Sequence, residues 1–338
     1  MARSSGKKPA KSSRRFLWLA IGIVVAIGAY TGVWFYLADQ LESRSQFLLS
    51  DLRDQNVTAD CRDMDVRGYP FRLGLYCTSV LAKDNVADTT VTAGSFRSAA
   101  QVYKPNHIVS ELDGPVSVEA AIGLLADLDW EVLRSSTVFN LSGLDRASLE
   151  TRNLQAAITL PGETDPVEVA AASSELHARQ NSADLDAVLR LNTASLVFGG
   201  VLDTSTTFDM QADLTLGDRA WLLSGGGRTE QQPWRNLSAS LNSLNADLNN
   251  GAGLSIEGPF SIDAEGYLTG KFNLEIRDMK AWQEFIGTVF PDMSDDIANA
   301  AGIAVSINGG GSNLSLPINV DKGTVRIGFI QLGKIPPL

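Results

Sequence analysis

The sequence predicts a mostly β protein: a long, curved antiparallel sheet with a few short helices, preceded by one N-terminal transmembrane helix. Three observations carry that expectation. Phe16 to Leu37 is an unbroken run of 22 uncharged, mostly apolar residues behind six cations. From Val57 onward, apolar and polar residues alternate with the two-residue period of half-buried strands. Turn signals separate these runs with no βαβ rhythm between them, the texture of an antiparallel meander.

Residues 1–15 are rich in Ser, Lys and Arg without an apolar period, and read as a disordered basic tail. Residues 16–37 follow as the membrane helix. At about 1.5 Å per residue the run is about 33 Å long, enough to cross a hydrocarbon core of about 30 Å. A cleaved signal peptide is the alternative. The run exceeds the usual apolar length of about 7–15 residues, and Tyr36-Leu37-Ala38 puts a tyrosine where cleavage wants a small residue, so an uncleaved anchor is expected. Gly28 and Gly32 have the spacing that packs two helices closely, but glycine is frequent in membrane helices and the bland reading is favoured. Arg3, Lys7, Lys8, Lys11, Arg14 and Arg15 precede the run, whereas Asp39 and Glu42 open its other flank. This asymmetry places the N-terminus in the cytoplasm and the rest of the chain across the membrane.

Residues 38–56, with Leu41, Phe47, Leu48 and Leu52 among charges, read as a membrane-proximal helix continuing out of the bilayer. Residues 57–338 read as one β-rich domain, with two sub-sheets joined near residue 200 as the alternative. The clearest strands carry Phe208, Met210, Ala212, Leu214 and Leu216, and then Leu268, Gly270, Phe272, Leu274 and Ile276. Gly253 to Asp263 forms another strand, and Asp263-Ala264-Glu265-Gly266 has the composition of a hairpin turn. Further alternating runs lie near 90–103, 107–120, 130–141, 147–159, 167–179, 184–198 and 237–248. In the last of these the phase breaks at Asn242-Ser243, which predicts a bulge. Ile303 to Asn308, Asn313 to Val320 and Thr324 to Ile330 continue the pattern.

Two interruptions look helical. Val118 to Leu133 approaches helical spacing through Ile122, Leu125 and Leu128, with strand as the alternative. Asp278 is an N-cap for a helix carrying Trp282, Phe285, Ile286, Val289 and Phe290 and ended by Pro291. A second small helix is expected over Ser294 to Ala301. The aromatic helix is expected to plug one end of the sheet, and facing a membrane is its alternative role. Gly225-Gly226-Gly227 and Gly309-Gly310-Gly311 read as loops, because neither is followed by the Lys-Ser/Thr of a phosphate-cradling turn.

The net charge of −11 hides an asymmetry: beyond residue 38, 22 cations face 39 acids, a net −17. A domain that acidic is a poor match for nucleic acid or an anionic surface. Cys61 and Cys77 flank the turn-like cluster Arg67-Gly68-Tyr69-Pro70. A hairpin centred on Tyr69 would set them directly opposite one another, at the Cα spacing of about 4.5–5.5 Å that a disulfide tolerates. Two cysteines and two distant histidines are too few for a metal set. His107 and His177 have no partner in the sequence. Asp127/Asp129, Asp184/Asp186 and Asp295/Asp296 lack the ligand spacing of a calcium loop and read as solvated edges. With no GxSxG elbow and no cysteine beside a base, the expectation is no catalytic residue, no cofactor, no metal and no enzyme.

The segment from Cys61 to Cys77, with Gly68-Tyr69-Pro70-Phe71-Arg72 at its centre, resembles the signature of DUF2125, an alphaproteobacterial family of membrane-anchored proteins. Gly323-Thr324-Val325-Arg326-Ile327-Gly328 and Leu332-Gly333-Lys334-Ile335-Pro336-Pro337-Leu338 resemble that family's ending. The resemblance implies a Gram-negative inner-membrane protein facing the periplasm, where an oxidising compartment would keep the disulfide formed. It implies no activity. The strand texture is also similar to that of AsmA-like envelope proteins, whose long curved sheets carry lipids on an apolar inner face.

Within the motif, Gly68 permits an unusual backbone angle, Pro70 fixes the turn and Phe71 is expected to start the return strand facing the core. Arg72 is read as structural, with a grip on a lipid phosphate as the functional alternative. An alternating sheet makes one apolar face that a second layer, closure or a ligand must cover, and few helices are available here. The leading expectation is therefore a lipid or acyl ligand held against Phe208, Met210, Leu214, Leu216, Leu268, Phe272, Leu274 and Ile276. The rival is an envelope scaffold or assembly factor that binds a protein partner and no small ligand.

Overall fold

A computed structural model describes residues 12–54, 56–141, 143–197, 206–224, 234–289, 298–299, 301–302, 305–306 and 313–337. A single helix, α1 (Ser12–Asp54), runs through both the apolar segment and the membrane-proximal one. Its apolar run is long enough to cross a membrane, and the first part of that run faces away from the rest of the chain, with Phe16 68 % and Trp18 72 % exposed. The expected basic tail is corrected at its end, since Ser12 to Arg15 are already helical; residues 1–11 lie outside the described residues.

The chain then returns as β1 (Val57–Arg62), β2 (Asp65–Arg67), β3 (Arg72–Cys77), β4 (Ser79–Asp84), β5 (Thr89–Ala93), β6 (Phe96–Gln101) and β7 (Lys104–Leu112). β8 (Val116–Ala120), β9 (Leu124–Asp129), β10 (Val132–Asn140), β11 (Gly143–Thr159), β12 (Val167–Asn181) and β13 (Asp184–Val197) follow. The C-terminal part holds β14 (Phe208–Leu216), α2 (Trp221–Ser224), β15 (Leu237–Leu248), β16 (Gly253–Ile262), β17 (Leu268–Arg277) and α3 (Met279–Val289). It ends with β18 (Leu314–Asp321), β19 (Thr324–Ile327) and β20 (Ile330–Lys334). Among the described residues all 20 strands belong to one antiparallel sheet, and β13 pairs with β14.

The early strands are halves of longer ones. β3 and β4 are separated only by Thr78, β9 and β10 by Trp130 and Glu131, and each half pairs with the matching half of its neighbour. The breaks align: Thr78 N–H donates to the Arg62 carbonyl, Gly94 N–H to Asp113 and Glu131 N–H to Arg152. In β11 and β13 the same line falls at Asn153 (φ 50°) and Thr193 (φ 48°), where the exposed positions shift phase by one residue. A crease thus crosses the sheet without interrupting its apolar face. The expected bulge is found, with Asn242 as the extra residue opposite the step from Asp213 to Leu214. Gly258 faces it, where a Cβ would sit 2.1 Å from the Lys271 carbonyl oxygen, so only glycine fits the close approach.

Three expectations are corrected. Val118 to Leu133 is not helical but forms most of β8, β9 and the start of β10, because Val118, Leu125 and Leu128 find cross-strand partners while Ile122 sits exposed in the turn between them. Val305 and Ser306 are helical, with the Ser306 hydroxyl donating to the Gly302 carbonyl, where a strand over 303–308 was expected. The motif hairpin pairs Asp65 with Tyr76 and Arg67 with Gly74, a register three residues away from one centred on Tyr69. Cys61 therefore stands opposite Val80 on β4, and Cys77 opposite Phe96 on β6. The disulfide between them is nonetheless present, with Cα atoms 5.2 Å apart, because the break at Thr78 turns the end of β3 toward β1. Gly225 to Gly227, Gly309 to Gly311, Phe290, Pro291, the pair Asp295/Asp296 and most of the second small helix lie outside the described residues.

Candidate functional site

Directly paired residues in an antiparallel sheet share a face. Following the pairing from β11 to β18 gives one row: Leu149, Leu176, Leu189, Ala212, Leu244, Ile256, Leu274 and Leu316. It continues toward β3 through Ser135, Ser110 and Ser98 to Leu75. Beyond the crease, Val167, Ile158, Ala126, Val118, Val91, Ala82 and Ala59 form a second apolar row. The adjacent row, on the opposite face, is polar throughout: Arg97, Glu111, Arg134, Glu150, Glu175, Arg190 and Gln211.

The two ends of the apolar face are covered differently. Phe208, Met210, Leu274 and Ile276 from the expected ligand-facing set lie in one cluster beneath α3. Asp278 caps that helix by accepting from the Ala281 N–H, and Phe285 makes edge contacts with Phe208 at 5.9 Å and Trp282 at 5.7 Å. Leu214, Leu216 and Leu268 lie in a second cluster with Leu222 and Leu223 of α2. Phe272 packs against Phe260, 6.2 Å between ring centres. α3 thus plugs the sheet, the first of its two expected roles, and seven of the eight residues pack under helices.

The face from β1 to β12 has less cover: α1 meets β1, β2 and β3 at one side, and the four-residue α2 touches β11 and β12. Between Val57 and Asn181 the only buried apolar side chains among the described residues are Cys77 and Ala171. Leu176, in the middle of the row, is 44 % exposed. The uninterrupted pattern of β14 and β17 marks the half of the sheet that packs under α2 and α3, where Leu216 and Ile276 are buried and the other six of the set are half-buried. The signal for the open half lies in Leu149, Leu176 and Leu189, which only the pairing register aligns.

The polar face is stitched by ion pairs. Arg97 joins Asp113 at 2.7 Å and Glu111 at 3.3 Å, and Arg134 joins Glu111 at 2.8 Å. Arg134 donating to Glu111, and Arg97 donating to Asp113, hold both carboxyls below their ordinary range against the opposing effect of desolvation. Glu175 is lowered first by His177 and then by Arg190. The two histidines sit here. His107 Nε2 shares a hydrogen bond with Ser136 at 2.8 Å, and His177 bonds Ser148 through Nδ1 at 2.9 Å and Glu175 through Nε2 at 3.3 Å. Ser148, His177 and Glu175 stand in the order of a hydrolytic triad, and the first two line a 600 Å³ depression. The backbone around them lies in the ladder between β10 and β13, so its N–H groups are not free to form an oxyanion hole.

The Gly68–Arg72 turn meets α1. The Tyr30 hydroxyl donates to the Pro70 carbonyl, and Thr31 Oγ1 shares a 2.8 Å hydrogen bond with the Tyr69 hydroxyl. Trp34 Nε1 donates to the Arg72 carbonyl at 2.9 Å, and Phe35 stacks on Tyr69 at 5.9 Å. Gly68 has φ 121°, and a Cβ there would lie 2.7 Å from the Arg72 carbonyl oxygen. The expectation for Phe71 is corrected: it is 69 % exposed and precedes the strand, because the turn points it outward. Arg72 makes no ion pair among the described residues; only its backbone is held.

These features define a protein with one large antiparallel sheet and one N-terminal helix long and apolar enough to cross a membrane. The chain belongs to DUF2125, a family of uncharacterised proteins conserved in bacteria, whose profile matches residues 34–336. The match begins at Trp34, the residue that fastens the motif turn. No curated protein and no solved structure matches the chain.

Proposed function

We propose that this chain is a non-enzymatic bacterial inner-membrane protein, with its N-terminus in the cytoplasm and its sheet in the periplasm. The sheet holds or passes on a lipid or other acyl ligand along the thinly covered apolar face, in the service of the cell envelope. The observation that carries this reading is the thinly covered face from β3 to β12, where Leu176 is 44 % exposed beside Leu149 and only the short α2 touches β11 and β12. Apolar surface of that extent marks a binding surface on a water-soluble domain. Along the chain of neighbours β3, β6, β7, β10, β11 and β12, at about 4.8 Å per strand, the face is about 24 Å wide. One leaflet of a hydrocarbon core of about 30 Å is half that, so an acyl chain fits along it. The cations before Phe16 support the orientation, and the disulfide fits an oxidising compartment.

Mass spectrometry of the organic-soluble material that co-purifies with the full chain tests the reading. The expected result is a stoichiometric lipid that Leu176→Asp and Leu189→Asp remove while the protein stays folded. Wild type without lipid, or mutants that keep it, would overturn the ligand; a co-purifying protein in its place would favour the scaffold. A reporter active only in the periplasm, fused after Leu338, should be active, and cytoplasmic activity alone would overturn the orientation.

A further inference from the structure

We infer that the sheet's α1-proximal edge is seated in the lipid surface of the membrane that α1 crosses, through Tyr69, Phe71 and Tyr103. The inference rests on α1 being a membrane span, and it adds where the sheet stands relative to that membrane.

Three independent features place the turn at that depth. The first is the contact itself. Tyr30, Thr31 and Trp34, which hold the turn, lie inside the apolar run that ends at Leu37. Thr31 is six residues before that end, about 9 Å back along the helix. The second is chain length. From Thr31 to Asp54 the helix climbs about 35 Å, and the returning chain from Val57 to Arg67 spans about 32–34 Å when extended. The first hairpin is long enough to bring its turn back down to the membrane. The third is the chemistry of the turn. A backbone entering the bilayer surface must have its polar groups satisfied by protein. The Gly68, Pro70 and Arg72 carbonyls accept from Arg72 N–H, Tyr30 and Trp34, and the Tyr69 hydroxyl is held by Thr31.

The side chains that remain are those that enter lipid. Phe71 is 69 % exposed, and Tyr103, in the next turn of the same edge, is 75 % exposed. The two turns are tied by Val102 N–H donating to the Phe71 carbonyl at 3.0 Å. Tyr and Trp favour the boundary between hydrocarbon and headgroups, where one end of the ring is dry and the other wet. The apolar face begins directly above, at Leu73 with Ala100 and Ile108 opposite. A seated edge therefore opens that face onto the outer leaflet.

The test uses the full chain in phosphatidylethanolamine–phosphatidylglycerol vesicles that carry nitroxide on their acyl chains. An environment-sensitive fluorophore is placed at Tyr103→Cys, at Phe71→Cys or at Val86→Cys. Val86 is 79 % exposed in the β4–β5 turn at the opposite edge and serves as the control. The expected result is loss of most of the fluorescence at positions 71 and 103 and none at 86. Vesicle-bound protein whose three labels are quenched alike would overturn the inference while leaving the membrane span intact. Protein that fails to float with the vesicles would overturn both.

Discussion

The two halves of the sheet solve the same problem in opposite ways. From β13 to β20 the apolar face is roofed, and Leu216, Leu237, Ile276, Trp282, Leu314 and Leu316 are buried beneath or beside α2 and α3. From β1 to β12 the same kind of face is thinly covered, with α2 touching only β11 and β12, and other features hold it: α1 along the edge strands, the Cys61–Cys77 bridge and the ion pairs of the polar face. Trp34 and Ala38 are the buried residues of α1, on the side that meets β1, β2 and β3. A helix over an edge also removes the unpaired backbone that would otherwise recruit another strand. The difference teaches that an alternating pattern announces an apolar face without saying what covers it.

The largest effect should come from a charge placed in the roofed half. Ile276→Asp sets an unpaired carboxylate in a buried cluster and should cost several kcal/mol, enough to abolish folding or expression. Leu214→Asp, under α2, should act in the same direction. The same charge at Leu176 is expected to cost less than about 1 kcal/mol, as at a surface site, because that side chain is already 44 % exposed. Thermal unfolding of the three variants in detergent checks the contrast, and equal losses at Leu176 and Ile276 would erase the distinction between the halves.

Removing the bridge should rank next. Cys61 and Cys77 are 16 residues apart, and closing a loop of that size is worth about 3 kcal/mol by chain entropy. The double Cys→Ala variant should lose about that much, while thiol labelling of unreduced native protein should find none free. Trp34→Phe removes one donor from the Arg72 carbonyl and should cost about 1 kcal/mol, with looser attachment of the turn visible as faster amide exchange there. Arg72→Gln should leave the unfolding temperature unchanged, since its side chain holds no ion pair among the described residues.

The smallest effect is a pH dependence. Glu111 and Asp113 are held below their ordinary values of 4.5 and 3.8 by Arg134 and Arg97. A carboxyl whose folded value is depressed stabilises above its unfolded value and loses that contribution as pH falls through the folded one. Stability should therefore decline below about pH 4.5, modestly because the pairs are partly exposed. Arg134→Gln should flatten that decline; an unchanged acid limb would remove the pair from the account.

Much of this molecule is legible in its amino-acid order. The long apolar helix, the strand runs from β11 to β17, the bulge at Asn242 and the cap at Asp278 all follow from local rules: hydropathy, period and turn chemistry. The misreadings share one cause. Val118 to Leu133 has apolar residues at spacings compatible with either helix or strand, and only partners on β5, β7 and β11 decide between them. Symmetry about Tyr69 does not fix the hairpin register at Gly68, because the contacts of α1 with Tyr69, Pro70 and Arg72 shape the turn.

By itself the sequence determined that one face of a long sheet would be apolar, since side-chain direction along a strand depends only on parity. It also determined that a helix long enough to cross a membrane would precede that sheet. Only the tertiary structure decided which stretch of the face is roofed and which is thinly covered. It likewise decided that the motif turn is fastened to the helix rather than facing solvent. Cover and docking join residues far apart in the chain, and no local pattern encodes the partner.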